Sequence, residues 1–206
     1  MPSRWRLRRG GKLTRVIEPV EDALAAALSR AFFLERLERA VVRATADGHG
    51  IVLCLLDVDQ LRNVNDRHGQ AAGDAALRAV AACVVGTLAH ARWSALAGLV
   101  GRFDGDGLIV MLRGARLRDG EELAEDLRRR IASASVAPAL RVTVSAAVAA
   151  HRLGESTDSF LARTEKTLHL AKQFGGDRVE SAQTREPREP RARTTSIDFL
   201  RASACE

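Results

Sequence analysis

A chain of 206 residues, 46% of them hydrophobic, can bury one ordinary core, which excludes wholesale disorder. The net charge of +6 is matched by the first 15 residues, which hold six basic side chains and no acidic one, so the remainder is close to neutral. Three cysteines at wide spacing form neither a disulfide framework nor a zinc-ligand pattern. No signal-peptide core or apolar run of about 18–20 residues is present, which predicts a cytoplasmic protein without a membrane span.

The two ends of the chain are predicted to lie outside the folded domain. We expect a basic arm over 1–21, a domain over 22–181 and a flexible tail rich in Pro and Arg over 182–206. The arm is too short for a sensor domain, so any input must come from a partner or from the tails. The apolar segment 197–201 is either a docking segment or a frayed end.

Between the tails, helical periodicity alternates with continuous apolar runs. In the first helix the apolar positions include Leu28, Phe32 and Val42, and in the third helix Asp74 falls in the first turn. The order of elements predicts a layered α/β sandwich with a mixed sheet. The predicted ranges are 22–46 (helix), 51–58 (strand), 60–67 and 72–89 (helices), 96–103 and 107–112 (hairpin strands), 119–133 (helix), 141–150 (strand), 156–173 (helix) and 178–180 (edge strand).

Acidic side chains lie at two places where buried strands end. Asp57 and Asp59 close the first apolar strand, and Asp106 lies in the tight DGDG turn between the hairpin strands. If these strands are neighbours, Asp57 and Asp106 meet at one edge of the sheet. Converging carboxylates with a free carbonyl suit Mg²⁺, whose coordination a nucleotide phosphate would complete. The alternative is a simple hairpin turn with solvated acids.

Four segments, in order over residues 22 to 180, carry the motifs of one known family. LLDVDQLRNVNDRHGQAAGDAAL, GRFDGDGLIVML, VTVSAAVA and ARTEKTLHLAKQFGGDRV resemble the GGDEF family of bacterial diguanylate cyclases. This resemblance implies a three-layer sandwich with a mixed, mostly antiparallel central sheet. The first segment matches the family pattern at Asp57, Asp59, Asn65, Asp66, Gly69, Gly73, Asp74 and Leu77.

The resemblance also implies a reaction and roles for particular residues. Family members condense two GTP into cyclic di-GMP across a dimer, with Mg²⁺ or Mn²⁺ polarising the phosphates. By position, Asp57 and the Val58 carbonyl are metal ligands, and Asp106 is the catalytic carboxylate that also binds metal. Asn65 and Asp74 correspond to guanine contacts, and Lys172 to a triphosphate contact.

The signature turn departs from the family pattern. It reads Asp104-Gly105-Asp106-Gly107-Leu108, so Asp104 replaces the first Gly, Gly107 replaces the Glu, and Leu108 replaces the Phe. We expect the charge of Asp104 to repel phosphate, and the acid missing at 107 to remove a ligand from a two-metal site.

Other positions that the family uses are also changed. Gly176 and Asp177 replace an Arg and an Asn near the phosphates, and the opening segment 22–31 has lost most of its polar groups. The Arg-x-x-Asp inhibitory product site corresponds to Ala95 and Gly98, so we expect no cyclic di-GMP site there.

Three functional hypotheses follow. The first is a degenerate GGDEF module of cyclic di-GMP signalling that binds GTP without turning it over and acts through a protein partner or as a homodimer. The second is an active but slow diguanylate cyclase. The third, compatible with the first, is association of the basic arm with nucleic acid or lipid, although a solvated arm without nucleic acid is the simpler expectation.

Overall fold

The computed structural model describes residues 27–96, 98–136 and 140–182, together with the backbone of two short strands near the N-terminus. Those strands, β1 (Trp5–Leu7) and β2 (Leu13–Arg15), pair antiparallel in a sheet of their own, which the sequence did not predict. The rest of the basic arm and the tail segment 197–201 lie outside the described residues.

The domain proper alternates helices and strands close to the predicted order. The elements are α1 (Arg30–Asp47), β3 (Ile51–Val58), α2 (Leu61–His68), α3 (Gln70–Leu88), α4 (Ala91–Ser94), β4 (Leu99–Phe103), β5 (Gly107–Arg113), α5 (Leu117–Ser133), β6 (Val144–Ala150), α6 (Thr157–Gln173) and β7 (Val179–Ser181). The five strands of this list form one sheet in the order β4-β5-β3-β6-β7. Only the β6–β7 pair is parallel, which confirms the mixed, mostly antiparallel sheet.

The central strand β3 explains why the domain has three layers. Successive side chains of a strand point to opposite faces, so a continuous apolar run such as IVLCLLDV contributes side chains to two hydrophobic cores, one on each face of the sheet. Cys54 and Leu56 belong to a core built with α3 and α5, whereas Leu53 and Leu55 belong to a core built with α1 and α6. Burial raises the pKa of the Cys54 thiol to about 12, in keeping with an inert core cysteine.

The first helix begins later than predicted and presents a different face. Residues 27–29 are not helical, because Leu28 exchanges backbone hydrogen bonds with Val100 and Arg102 beside β4, and Ser29 caps the helix. Phe32 is 43% exposed and Val42 is 71% exposed, so these two apolar positions lie outside the buried face of the helix. The predicted residues 22–26 lie outside the described residues.

Smaller corrections concern the ends of three further elements. Helix α3 begins at Gln70, directly after the Gly69 that ends α2, so Asp74 lies beyond the first turn and not within it. Strands β4 and β6 start three residues later than predicted, and the short helix α4, with Trp93 buried, was not predicted.

Helix α3 is, by length and composition alone, apolar enough to cross a membrane. More than half of its apolar window is buried inside the domain, where it packs in the core beneath β3 and beside α5. A core helix of a folded domain has the same composition. The sequence predicted this helix but no apolar stretch of spanning length in it, because Asp74 and Arg78 interrupt the apolar run.

Asp59 ties the end of β3 to its neighbours and does not face the hairpin. Its carboxylate accepts hydrogen bonds from the Thr143 hydroxyl at 2.7 Å, the buried Ser145 hydroxyl at 2.5 Å and the backbone N–H of Asp177 at 2.8 Å. Asp59 therefore joins β3, β6 and the turn between α6 and β7.

Replacing Gly120 tests the packing of α5 on the sheet. A Cβ atom at Gly120 would lie 2.4 Å from Val52 Cγ1 and 2.7 Å from Val148 Cγ1, both in the core. We expect Gly120→Ala to lower the free energy of unfolding by about 1–3 kcal/mol through overpacking. The matched control is Gly86→Ala in α3, where no atom lies within 4 Å and stability should rise by about 0.5–1 kcal/mol. Urea denaturation measures both, and equal effects would contradict the packing.

Replacing Asp59 tests its structural role. We expect Asp59→Ala to lower the free energy of unfolding by about 1.5–3 kcal/mol, because the buried Ser145 hydroxyl loses its charged acceptor. Asp66→Ala, at an exposed position on α2, should change stability by less than about 0.5 kcal/mol. The same urea titration applies, and a neutral Asp59→Ala would show that the three hydrogen bonds contribute nothing.

Candidate functional site

A small cavity lies where the end of β3 meets the tip of the β4–β5 hairpin. Its volume is about 30 Å³, enough for a water molecule or an ion but not for a nucleotide. Asp57, Val58 and Asp106 all line it. Their assignment as two carboxylate ligands and one carbonyl ligand of a metal stays a prediction. A nucleotide at this place would therefore lie over the cavity, with only an ion or a phosphate oxygen entering it.

The register of β3 against β5 produces this convergence. Leu56 lies opposite Leu108, so Asp57 and Gly107 are the next residues of the two strands, at the edge where the hairpin turns. Gly105, with φ +61°, takes the left-handed position of the turn, which glycine adopts without strain. The turn thus keeps the geometry of a tight hairpin although its sequence has changed.

Lys172 reaches the site from α6 and binds Asp57. Its Nζ donates to Asp57 Oδ2 at 2.6 Å, across a pair in which the two side chains are 42% and 24% exposed. Asp57 shares the strand parity of Leu53 and Leu55, whose face packs on α6, which explains why this lysine can reach it. The sequence placed both residues at the site but did not foresee that they bind each other.

Asp104 is paired with a cation that the sequence analysis missed. Arg30 Nε lies 2.9 Å from Asp104 Oδ1, and the same guanidinium lies over the Phe103 ring at 5.1 Å from its centroid. The pair offsets the charge at position 104, so the expected repulsion of phosphate is weaker than the sequence alone suggests. No sequence signal links α1 to the hairpin turn, because the contact is long-range.

Gly107 leaves room for the side chain that the family pattern has there. A Cβ atom would lie 3.5–3.6 Å from the carbonyl oxygens of Asp104, Phe103 and Leu56, which is ordinary van der Waals contact. The fold has room for a larger side chain at this position, so the carboxylate is missing only because the residue is glycine. This position can therefore be restored by mutation.

The proposed guanine contacts lie along α2 and α3, beside the cavity. Asn65 packs so closely on Gly73 that a Cβ there would lie 1.8 Å from Asn65 Oδ1, and that oxygen is buried without a hydrogen-bond partner. Asp74, the next residue, is exposed, and Leu77 one turn further along α3 lines the cavity. Asn65, Asp74 and the cavity thus follow one another along one side of the domain.

The turn after α6 holds the positions where the family has Arg and Asn. Gly176 has φ +75° and lies against the Asp59 carboxylate, where a Cβ would come within 3.1 Å of its oxygens. Asp177 is bound by Arg128 at 2.7 Å, and the same arginine, by hydrogen bonding, lowers the pKa of Glu125. These two residues stabilise the turn and offer no cation to a phosphate.

The oxygen donors around the cavity suit one divalent cation. Asp57, Asp106 and the Val58 carbonyl are hard ligands of the kind that Mg²⁺ takes, and the remaining positions would fall to water and phosphate. Among residues 27–96, 98–136 and 140–182, no group of three His, Cys, Asp or Glu side chains could hold a metal. Arg102, which also lines the cavity, adds a positive charge that the sequence analysis had not placed there.

Comparison with known proteins identifies the family to which the chain is similar. Residues 20–178 match the sequence model of the family described as "Diguanylate cyclase, GGDEF domain". Diguanylate cyclase DgcP of Pseudomonas aeruginosa is 33% identical over 164 residues, covering 78% of this chain and 24% of that protein. Diguanylate cyclase DgcM of Escherichia coli is 30% identical over 161 residues, covering 78% and 38%. The chain therefore spans well under half the length of these relatives.

Solved structures give the same result for the fold. The GGDEF domain of DgcB from Caulobacter crescentus, in complex with c-di-GMP, superposes with a TM-score of 0.70 at 26% identity, covering 77% of this chain and 92% of that one. Diguanylate cyclase SiaD from Pseudomonas aeruginosa, in complex with its activator SiaC, gives a TM-score of 0.68 at 31% identity, covering 75% and 58%. With the family motifs in sequence order and the same fold around them, this chain belongs to the GGDEF family of cyclic di-GMP signalling domains.

Proposed function

We propose that this domain binds GTP without condensing it and serves as a regulatory module of cyclic di-GMP signalling. The observation that carries the proposal is the composition of the cavity. Asp57, Val58 and Asp106 line it together, while the turn position that would supply a second metal-binding acid is Gly107. The site is thus equipped for one cation and one nucleotide, and depleted for two-metal chemistry.

Nucleotide binding is supported at both ends of the site. The amide of Asn65 and the carboxylate of Asp74 suit the mixed donor and acceptor edge of guanine. Lys172 carries an ammonium that suits a triphosphate, and Arg30 offsets the charge of Asp104 beside the path of the phosphates. Mg²⁺ or Mn²⁺, when bound, would polarise the phosphate oxygens from Asp57, Asp106 and Val58.

The proposed loss of turnover is supported by two charged groups that the family pattern has and this chain lacks. Removing one group that stabilises charge in a transition state costs about 10²–10³ in rate, and both the acid at 107 and the Arg at 176 are missing. Asp106 would still be placed to accept a proton from an attacking hydroxyl. The phosphate charge that develops at the same time would have fewer cations to stabilise it.

The proposal extends to partners and location. A module that binds GTP works where GTP is found, in the cytoplasm, and its output would pass to a protein partner or to a second copy of the domain. The solved structure of SiaD with its activator SiaC is an example of a related protein with a protein partner. We propose no cyclic di-GMP site at Ala95 and Gly98, because neither side chain carries charge.

An active cyclase is the second candidate, and a specific observation favours it. Asp106 and Lys172 remain at the site, and the relatives DgcP and DgcM are named diguanylate cyclases. Under this alternative the chain would turn over slowly, and the loss of either residue would abolish product.

Isothermal titration with GTP and Mg²⁺, paired with a product assay, tests the proposal. We expect GTP to bind, no cyclic di-GMP to form, and Asn65→Ala to weaken binding about tenfold through loss of about 1.4 kcal/mol. Asn63→Ala, on the exposed side of the same helix, is the matched control and should leave affinity unchanged. Equal affinity for both variants, or product that Asp106→Ala abolishes, would contradict the proposal.

Restoring the signature turn tests why turnover is lost. We expect Asp104→Gly combined with Gly107→Glu to gain metal affinity and measurable cyclic di-GMP synthesis. Position 107 has room for a side chain, and its backbone is not in the left-handed region that favours glycine. The gain should be at least about tenfold over the parent, whose output is at background. The product is quantified by mass spectrometry, with Asp106→Ala in the restored background as the control. A restored turn that binds no additional metal would show that the defect lies elsewhere.

A further inference from the structure

The ion pair between Lys172 and Asp57 uses two groups that the proposed function needs separately. Nζ and Oδ2 are 2.6 Å apart, and one partner comes from α6 and the other from β3. A metal ligand must offer its carboxylate to a cation, and a phosphate contact must offer its ammonium to an anion. While they bind each other, neither group is fully available to its ligand.

The charges around the cavity strengthen this conflict. The two acids that line it, Asp57 and Asp106, are balanced by Arg102 in the same wall and by Lys172 on Asp57. With Gly107 in place of an acid, the surroundings are close to neutral and attract a free divalent cation only weakly. A cation at Asp57 would also meet the Lys172 ammonium within a few ångströms, which is repulsive.

We propose, resting on the proposed function, that the Lys172–Asp57 pair makes nucleotide and metal binding mutually dependent. A phosphate that takes Lys172 frees the Asp57 carboxylate for the metal, and a metal at Asp57 frees Lys172 for the phosphate. Each ligand then raises the affinity for the other by the same factor, as linkage requires. The domain then binds free Mg²⁺ and metal-free nucleotide only weakly, and it binds the two tightly when both are present.

The first experiment measures Mn²⁺ binding without any nucleotide, by electron paramagnetic resonance of the free ion. We expect Lys172→Met to bind Mn²⁺ at least about fivefold more tightly than the parent, because the competing ammonium is gone. Lys166→Met, at an exposed position of the same helix, is the control and should match the parent. Thermal melting establishes that both variants fold.

The reciprocal experiment measures GTP binding in EDTA. We expect Asp57→Asn to bind metal-free GTP at least about fivefold more tightly than the parent, because Lys172 is released to the phosphates. Asp66→Asn, exposed on α2, should match the parent. Unchanged or weaker Mn²⁺ binding by a folded Lys172→Met overturns the inference even if GTP binds. Failure of every variant to bind GTP, with or without metal, overturns the proposed function instead.

Discussion

The antiparallel pairing of β3 with β5 is the constraint on which the site depends. β3 is buried on both faces, so a shift of its register by one residue would exchange the side chains of the two cores. With the register held by both cores, Asp57 can end the strand only beside the tip of the hairpin. The same packing decides which helix each polar side chain meets, and so brings Lys172 to Asp57.

Charge balance distinguishes this site from a richer metal site. The acid that would stand at 107 is absent, and the acid added at 104 is bound by Arg30 away from the cavity. Arg102 and Lys172 then offset the two remaining carboxylates. In the function proposed for this domain, these features leave a pocket that would take a nucleotide with one divalent cation and that lacks the excess negative charge needed to hold two.

The sequence predicted most of the fold and the convergence of Asp57 with Asp106, because strand periodicity and a hairpin turn fix neighbouring strands locally. It failed where a contact between residues far apart along the chain determines the local structure. The start of α1 depends on Leu28 pairing beside β4, and packing on the sheet buries Phe33 and leaves Phe32 partly exposed. The sequence also did not reveal that Asp59 accepts hydrogen bonds from Thr143 and Ser145, which lie more than eighty residues away along the chain.

The partners of the site residues were beyond sequence reasoning for the same reason. No local sequence pattern identifies Arg30 as the partner of Asp104 or Lys172 as the partner of Asp57, because each pair joins elements that are far apart along the chain. The roles that the family resemblance assigns to Lys172 and Asp57 stay predictions. The resemblance did not reveal that these two side chains bind each other.

A crystal structure of the protein with Mg²⁺ and a non-hydrolysable GTP analogue tests the central claim most directly. We predict one metal ion between Asp57 and Asp106, guanine against Asn65 and Asp74, and Lys172 moved from Asp57 to the phosphates. Nucleotide bound at another surface, or nucleotide in the cavity with the Lys172–Asp57 distance still near 2.6 Å, would contradict the account.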